Sequence, residues 1–119
     1  MSNTRQAAAL VVEDDETQRE MVVILLEELE LKVFACESGE AATMILQEIG
    51  DTLCLMFTDI NLRGPMTGIE LANQARHEFP KLKVIVTSGR PAPNLPTGMT
   101  FMQKPWQPLD LLREAKTVC

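Results

Sequence analysis

Five short apolar runs punctuate this chain, at residues 8–13, 31–36, 53–58, 82–87 and 99–103. Each has the length of a strand, and the first reads as one buried on both faces. Between them the apolar spacing changes to that of helices. Residues 16–30 carry Met21, Ile24, Leu25 and Leu29 at positions that share one helix face. Ser38 stands where a cap is needed for a helix over 40–49, which turns Ala41, Met44, Ile45 and Ile49 inward and stops at Gly50. A turn marked by Gly64-Pro65 and Gly68 leads into a helix over 69–79 that Pro80 closes. Pro108 sits in the first turn of a last helix running to about Thr117, where a missing N–H costs little.

Strand and helix alternate, which implies an α/β fold: one parallel sheet with helices on both faces. The alternation fails once. Between Ser88 and Met99 a helix is expected, yet residues 90–96 hold Pro91, Pro93 and Pro96. Each interior proline costs a helix about 3 kcal/mol. This connection is expected to be an extended loop, or at most one short turn, so that the helix is missing. Nothing else interrupts the chain, and its 119 residues read as a single domain.

Composition narrows the classes of function. A net charge of −6 argues against direct nucleic-acid binding, which needs lysines and arginines on phosphates. No apolar stretch approaches the roughly 20 residues of a membrane span, and no export signal opens the chain. The three cysteines, Cys36, Cys54 and Cys119, are odd in number and form no CxxC pair, so they are read as reduced thiols in a cytoplasmic protein, two buried and one terminal.

The chemistry lies where the strands stop. Residues 8–12 run into Glu13-Asp14-Asp15, residues 53–58 into Asp59, residues 84–87 into Ser88-Gly89, and residues 99–103 into Lys104-Pro105. If these strands are parallel, those ends converge on the edge where open α/β sheets bind ligands. Alone, adjacent acids after a strand form a solvated loop or a helix cap, and Asp15 fits the cap at least as well as the site. Together, acids, a hydroxyl and an ammonium at one edge suit a metal-bound phosphoryl group.

In order and spacing these segments resemble the receiver domain of two-component response regulators, the chemotaxis-regulator-like fold. Val11-Val12-Glu13-Asp14-Asp15 resembles the family's acidic motif, and Asp59-Ile60-Asn61-Leu62 with Gly68-Ile69-Glu70-Leu71 its phosphoacceptor segment. Val84-Ile85-Val86-Thr87-Ser88-Gly89 is similar to its fourth strand, and Phe101-Met102-Gln103-Lys104-Pro105-Trp106 to its fifth. The resemblance implies a doubly wound, flavodoxin-like sheet of order 2-1-3-4-5. It implies Asp59 as phosphoacceptor and Mg²⁺ (or Mn²⁺) as cofactor. Asp14 and Asp59 would bind the cation directly, Glu13 through water and Asn61 through its backbone carbonyl. Lys104 would contact the phosphoryl oxygens, with Ser88 as the switch hydroxyl and Phe101 as the aromatic switch. Ser88 is preferred to Thr87 because a small residue, Gly89, follows it. Asn61 and Arg90 occupy positions that tune phosphoryl lifetime, and Pro105 is the candidate for a cis bond.

By the same resemblance, the donor is a sensor histidine kinase or a histidine phosphotransfer protein. The chain reads as residues 1–119 of one receiver domain with no output domain, either free-standing or cut from a longer hybrid kinase. It would signal by protein–protein contact, with no enzymatic activity beyond its own phosphorylation and dephosphorylation. The loop after Asp59 carries one extra residue, and the missing helix removes part of the family's output surface, so the standard receiver dimer is not expected. Two other readings are a haloacid-dehalogenase-like Mg²⁺-dependent phosphatase and a pseudo-receiver that binds partners without phosphate. Asp59-Ile60-Asn61 lacks the second aspartate of the former, and the intact acids and Lys104 speak against the latter.

Overall fold

The computed structural model describes residues 6–91 and 94–119; the polar lead-in at 1–5 and Ala92–Pro93 of the proline-rich connection lie outside the described residues. Five strands, β1 (Ala8–Val12), β2 (Lys32–Cys36), β3 (Leu53–Asp59), β4 (Lys83–Ser88) and β5 (Thr100–Gln103), form one sheet of order 2-1-3-4-5. Every neighbouring pair is parallel. The order reverses between β1 and β3, so the crevice for a ligand opens at the ends of those two strands.

Successive side chains of a strand point to opposite faces, so β1 feeds two cores. Leu10 and Val12 join Met56, Val84 and Val86 beneath α2 (Gly39–Ile49) and α3 (Gly68–Glu78), through Leu46, Leu71 and Ala75. Ala9 and Val11 join Leu55, Phe57 and Ile85 beneath α1 (Glu16–Glu27) and α4 (Pro108–Lys116), through Val22, Leu26 and Leu111. Among the described residues no helix is long and apolar enough to cross a membrane.

The helix ends follow their capping residues. Asp15 caps α1 by accepting from the Gln18 N–H at 2.8 Å, and Ser38 caps α2 by accepting from Ala41 at 3.1 Å. Thr67 and Glu70 form a reciprocal capping box at the start of α3. Among the described residues no helix lies between β4 and β5. Leu95 and Met99 of that connection pack, as Phe101 does, against the α2–α3 core.

Two expected helix faces need correction. On α1, Met21 is 44% and Ile24 58% exposed, while Val22 and Leu26 are buried. Residues 21–26 are all apolar, so spacing alone does not fix which stripe turns inward. On α2, Met44 is 69% exposed, and Ala42 and Leu46 face the sheet in its place. Apolar residues also crowd that helix, and the small Ala42 permits the close approach that Met44 does not. The cysteine reading needs correction as well. Cys54 and Cys119 are joined in a disulfide, and Cys36 alone is a free thiol. The fold returns the residues after α4 to the start of β3, closing a sequence separation of 65 that spacing rules do not reveal.

Candidate functional site

The strand ends are drawn level by backbone hydrogen bonds. Glu13 N–H donates to Cys36 at 3.0 Å, Ile60 N–H to Thr87 at 3.0 Å, and Lys104 N–H to Ser88 at 2.8 Å. Glu13, Asp14, Asp59, Asn61 and Lys104 thereby border one open cleft of about 520 Å³, together with Asp15, Gln18 and Gly89. Its acids lie at different depths. Glu13 is 2% and Asp59 5% exposed, while Asp14 is half-buried beside them.

Both carboxylate oxygens of Asp59 are engaged. Oδ1 accepts from the Asn61 N–H at 2.8 Å, and Oδ2 accepts from the Lys104 ammonium. Lys104 also donates to Glu13 Oε1 at 3.3 Å and to Gln18 Oε1 at 2.5 Å. The second oxygen of Glu13 accepts from the Asp15 N–H at 3.1 Å. Gly68 holds Asp59 from behind. A Cβ at Gly68 would lie 1.9 Å from the Asp59 carbonyl oxygen, so only glycine lets the start of α3 approach the strand end so closely.

The electrostatics follow from this crowding. Burial pushes the Glu13 carboxyl up to about 7; the bond from Asp15 opposes the rise, and the charge of Asp59 adds to it. Burial of Lys104 opposes its charge, but its contacts with Asp59 and Glu13 outweigh that and raise its pKa above the usual lysine value. Four acidic residues, Glu13, Asp14, Asp15 and Asp59, thus border a cleft with one ammonium, which leaves it short of positive charge. That donor set suits a hard divalent cation, which takes oxygen ligands. Among the described residues, however, no three acids already stand together as a cation cage, because Lys104 lies between Glu13 and Asp59.

Of the remaining residues picked out in the sequence, Asp15 borders this cleft, whereas Ser88, Arg90, Phe101 and Pro105 line other clefts. Thr87 is buried and donates its hydroxyl to the Met102 carbonyl at 2.6 Å, which commits it to β5. Ser88 Oγ accepts from the Arg90 N–H at 3.2 Å. Ser88 borders a neighbouring cleft of about 320 Å³ with Ile60, Asn61, Ile69, Arg90 and Pro91, and only Asn61 belongs to both clefts. Phe101 is half-buried against the α2–α3 core. The Lys104–Pro105 bond is cis. Asp15 both caps α1 and borders the acidic cleft. Sequence reasoning did not single out Gln18. The available signal was a polar side chain one helical turn after Asp14.

Residues 9–116 match the family model of the response regulator receiver domain. Over 111 residues the chain is 32% identical to the response regulator receiver protein CpdR of Brucella abortus (strain 2308), covering 88% of this chain and 90% of that protein. Among solved structures, a response regulator receiver protein from Sinorhizobium medicae WSM419 superposes with a TM-score of 0.87 at 22% identity, covering 96% of this chain and 94% of that one. The receiver domain of the hybrid histidine kinase CckA gives 0.81 at 29% identity, covering 93% and 97%. The family match favours neither the phosphatase nor the phosphate-independent reading. With its 2-1-3-4-5 sheet and its acids at the ends of β1 and β3, the chain belongs to the response regulator receiver domain family of two-component signalling.

Proposed function

We propose that this receiver domain takes a phosphoryl group onto Asp59 from a phosphohistidine of a sensor kinase or phosphotransfer protein. A carboxylate oxygen of Asp59 forms the new P–O bond, the donor's P–N bond breaks, and the imidazole leaves with a proton. The observation that carries this reading is the pinning of Asp59, with one oxygen on the Asn61 N–H and the other on Lys104. Fixed donors orient the nucleophile, and the ammonium can then turn to the equatorial oxygens of the incoming group.

A divalent cation such as Mg²⁺, held by Asp14, Asp59, the Asn61 carbonyl and, through water, Glu13, would supply the positive charge that this acidic cleft lacks. Lys104 contributes a second, compact positive charge. Ser88 supplies a hydroxyl to the phosphoryl group once it is present, exchanging its contact with the Arg90 N–H. Phe101 follows that rearrangement, and Asn61 and Arg90 govern access of the hydrolytic water. Readout is by protein–protein contact; among the described residues no helix lies between β4 and β5, so that surface differs from the family's usual one.

A small phosphodonor provides the test. Acetyl phosphate with Mg²⁺ should add one acid-stable, base-labile phosphoryl group to the protein and none to Asp59→Asn. An equally phosphorylated Asp59→Asn protein would remove the assignment.

A further inference from the structure

Building on that reading of Asp59 and Lys104, we propose that Gln18 is a positioning residue for the Lys104 ammonium. A lysine ammonium has three donors and no acceptor. All three find oxygens here: Asp59 Oδ2, Glu13 Oε1 at 3.3 Å and Gln18 Oε1 at 2.5 Å. The three acceptors are not equivalent. Asp59 and Glu13 are acids, and under the proposed function both belong to the phosphoryl and cation chemistry. Gln18 is neutral and takes no part in that chemistry. When Asp59 becomes phosphorylated, the donor on its carboxylate is redirected, while the bond to Gln18 persists. The carboxamide thus anchors Nζ over the cleft as its acidic partners change. A carboxylate there would also grip Lys104, but it would add a fifth acid to a cleft already short of positive charge.

The local structure makes this anchor rigid. Gln18 lies in the first turn of α1, and its own N–H is held by the capping Asp15 at 2.8 Å. The next residue, Arg19, donates to the Glu13 carbonyl at 2.9 Å and ties the same turn to the end of β1. Gln18 and Lys104 also border a mainly apolar cleft together with Met21, Pro105 and Trp106. Trp106 is itself fixed edge-on to Phe57, with ring centroids 5.6 Å apart. The carboxamide thus meets Lys104 where the acidic cleft and this apolar one adjoin, since Gln18 and Lys104 line both.

Gln18→Met removes the acceptor at nearly constant length and helix propensity. The readouts are the rate of phosphorylation by acetyl phosphate and Mg²⁺ affinity from Trp106 fluorescence. Loss of one hydrogen bond to a charged group predicts a rate roughly tenfold slower, with Mg²⁺ affinity unchanged. In a Lys104→Met background the Gln18 effect should vanish, because it acts through the ammonium. A wild-type rate for Gln18→Met overturns the proposal, and so does an undiminished Gln18 effect without Lys104. A wild-type protein that takes no phosphoryl group is a separate result, which removes the Asp59 reading and this proposal with it.

Discussion

Gly68 and Asp59 meet backbone to backbone: the Gly68 N–H donates to the Ile60 carbonyl at 2.8 Å, and a Cβ at Gly68 would lie 1.9 Å from the Asp59 carbonyl oxygen. The obstacle is main chain in a buried strand, not the movable end of a side chain. Gly68→Ala must therefore displace either the start of α3 or the end of β3. Overpacking of this kind costs roughly 1–3 kcal/mol, which urea unfolding would measure. Because Asp59 moves with its carbonyl, the phosphorylation rate should fall as well. A variant of unchanged stability would contradict the close approach.

The two adjacent hydroxyls of β4 should separate in their effects. Thr87→Val leaves the buried Met102 carbonyl without its donor and should cost about 1–3 kcal/mol of stability. Thr87→Ser keeps the donor and should recover most of that loss. Ser88→Ala removes the acceptor of the Arg90 N–H and should cost less than Thr87→Val, about 0.5–1 kcal/mol. Chemical unfolding of the three variants checks the order, and its reversal would exchange the roles given to these residues.

Most of the fold could be read from the sequence because the strands are continuous apolar runs and their connections carry clear caps and breakers. Pro80 and Pro108 mark a helix stop and a helix start, and the acids of the cleft announce themselves by standing at strand ends. What could not be read depended on three-dimensional closure. The inward stripes of α1 and α2 were ambiguous, since Met21 and Val22, or Met44 and Leu46, satisfy an apolar period equally well. Gln18 is one more polar residue on a charged helix until the fold brings Lys104 to it. The Cys54–Cys119 pair exists only because the residues after α4 return to β3.

Thiol chemistry tests that closure and gives a pH dependence. Unfolded without reductant, the protein should expose one thiol to an alkylating reagent; three would contradict the disulfide. In the native protein the remaining thiol, Cys36, should react slowly at pH 8, because burial pushes it up to about 11. Its folded pKa lies above its unfolded one, so the stability it contributes is intact below about pH 9. That contribution is lost as pH rises through 11. Native alkylation at pH 8 as fast as that of the unfolded chain would contradict the burial.

The central claim is that Asp59 carries the phosphoryl group. Its most direct test is to phosphorylate the protein from a phosphohistidine donor in the presence of Mg²⁺, reduce the acyl phosphate with borohydride, and locate the reduced residue by peptide mass spectrometry. The account predicts modification at Asp59 alone, abolished by chelating the cation. Modification at another residue, or an unmodified Asp59 in protein that has gained phosphate, would contradict it.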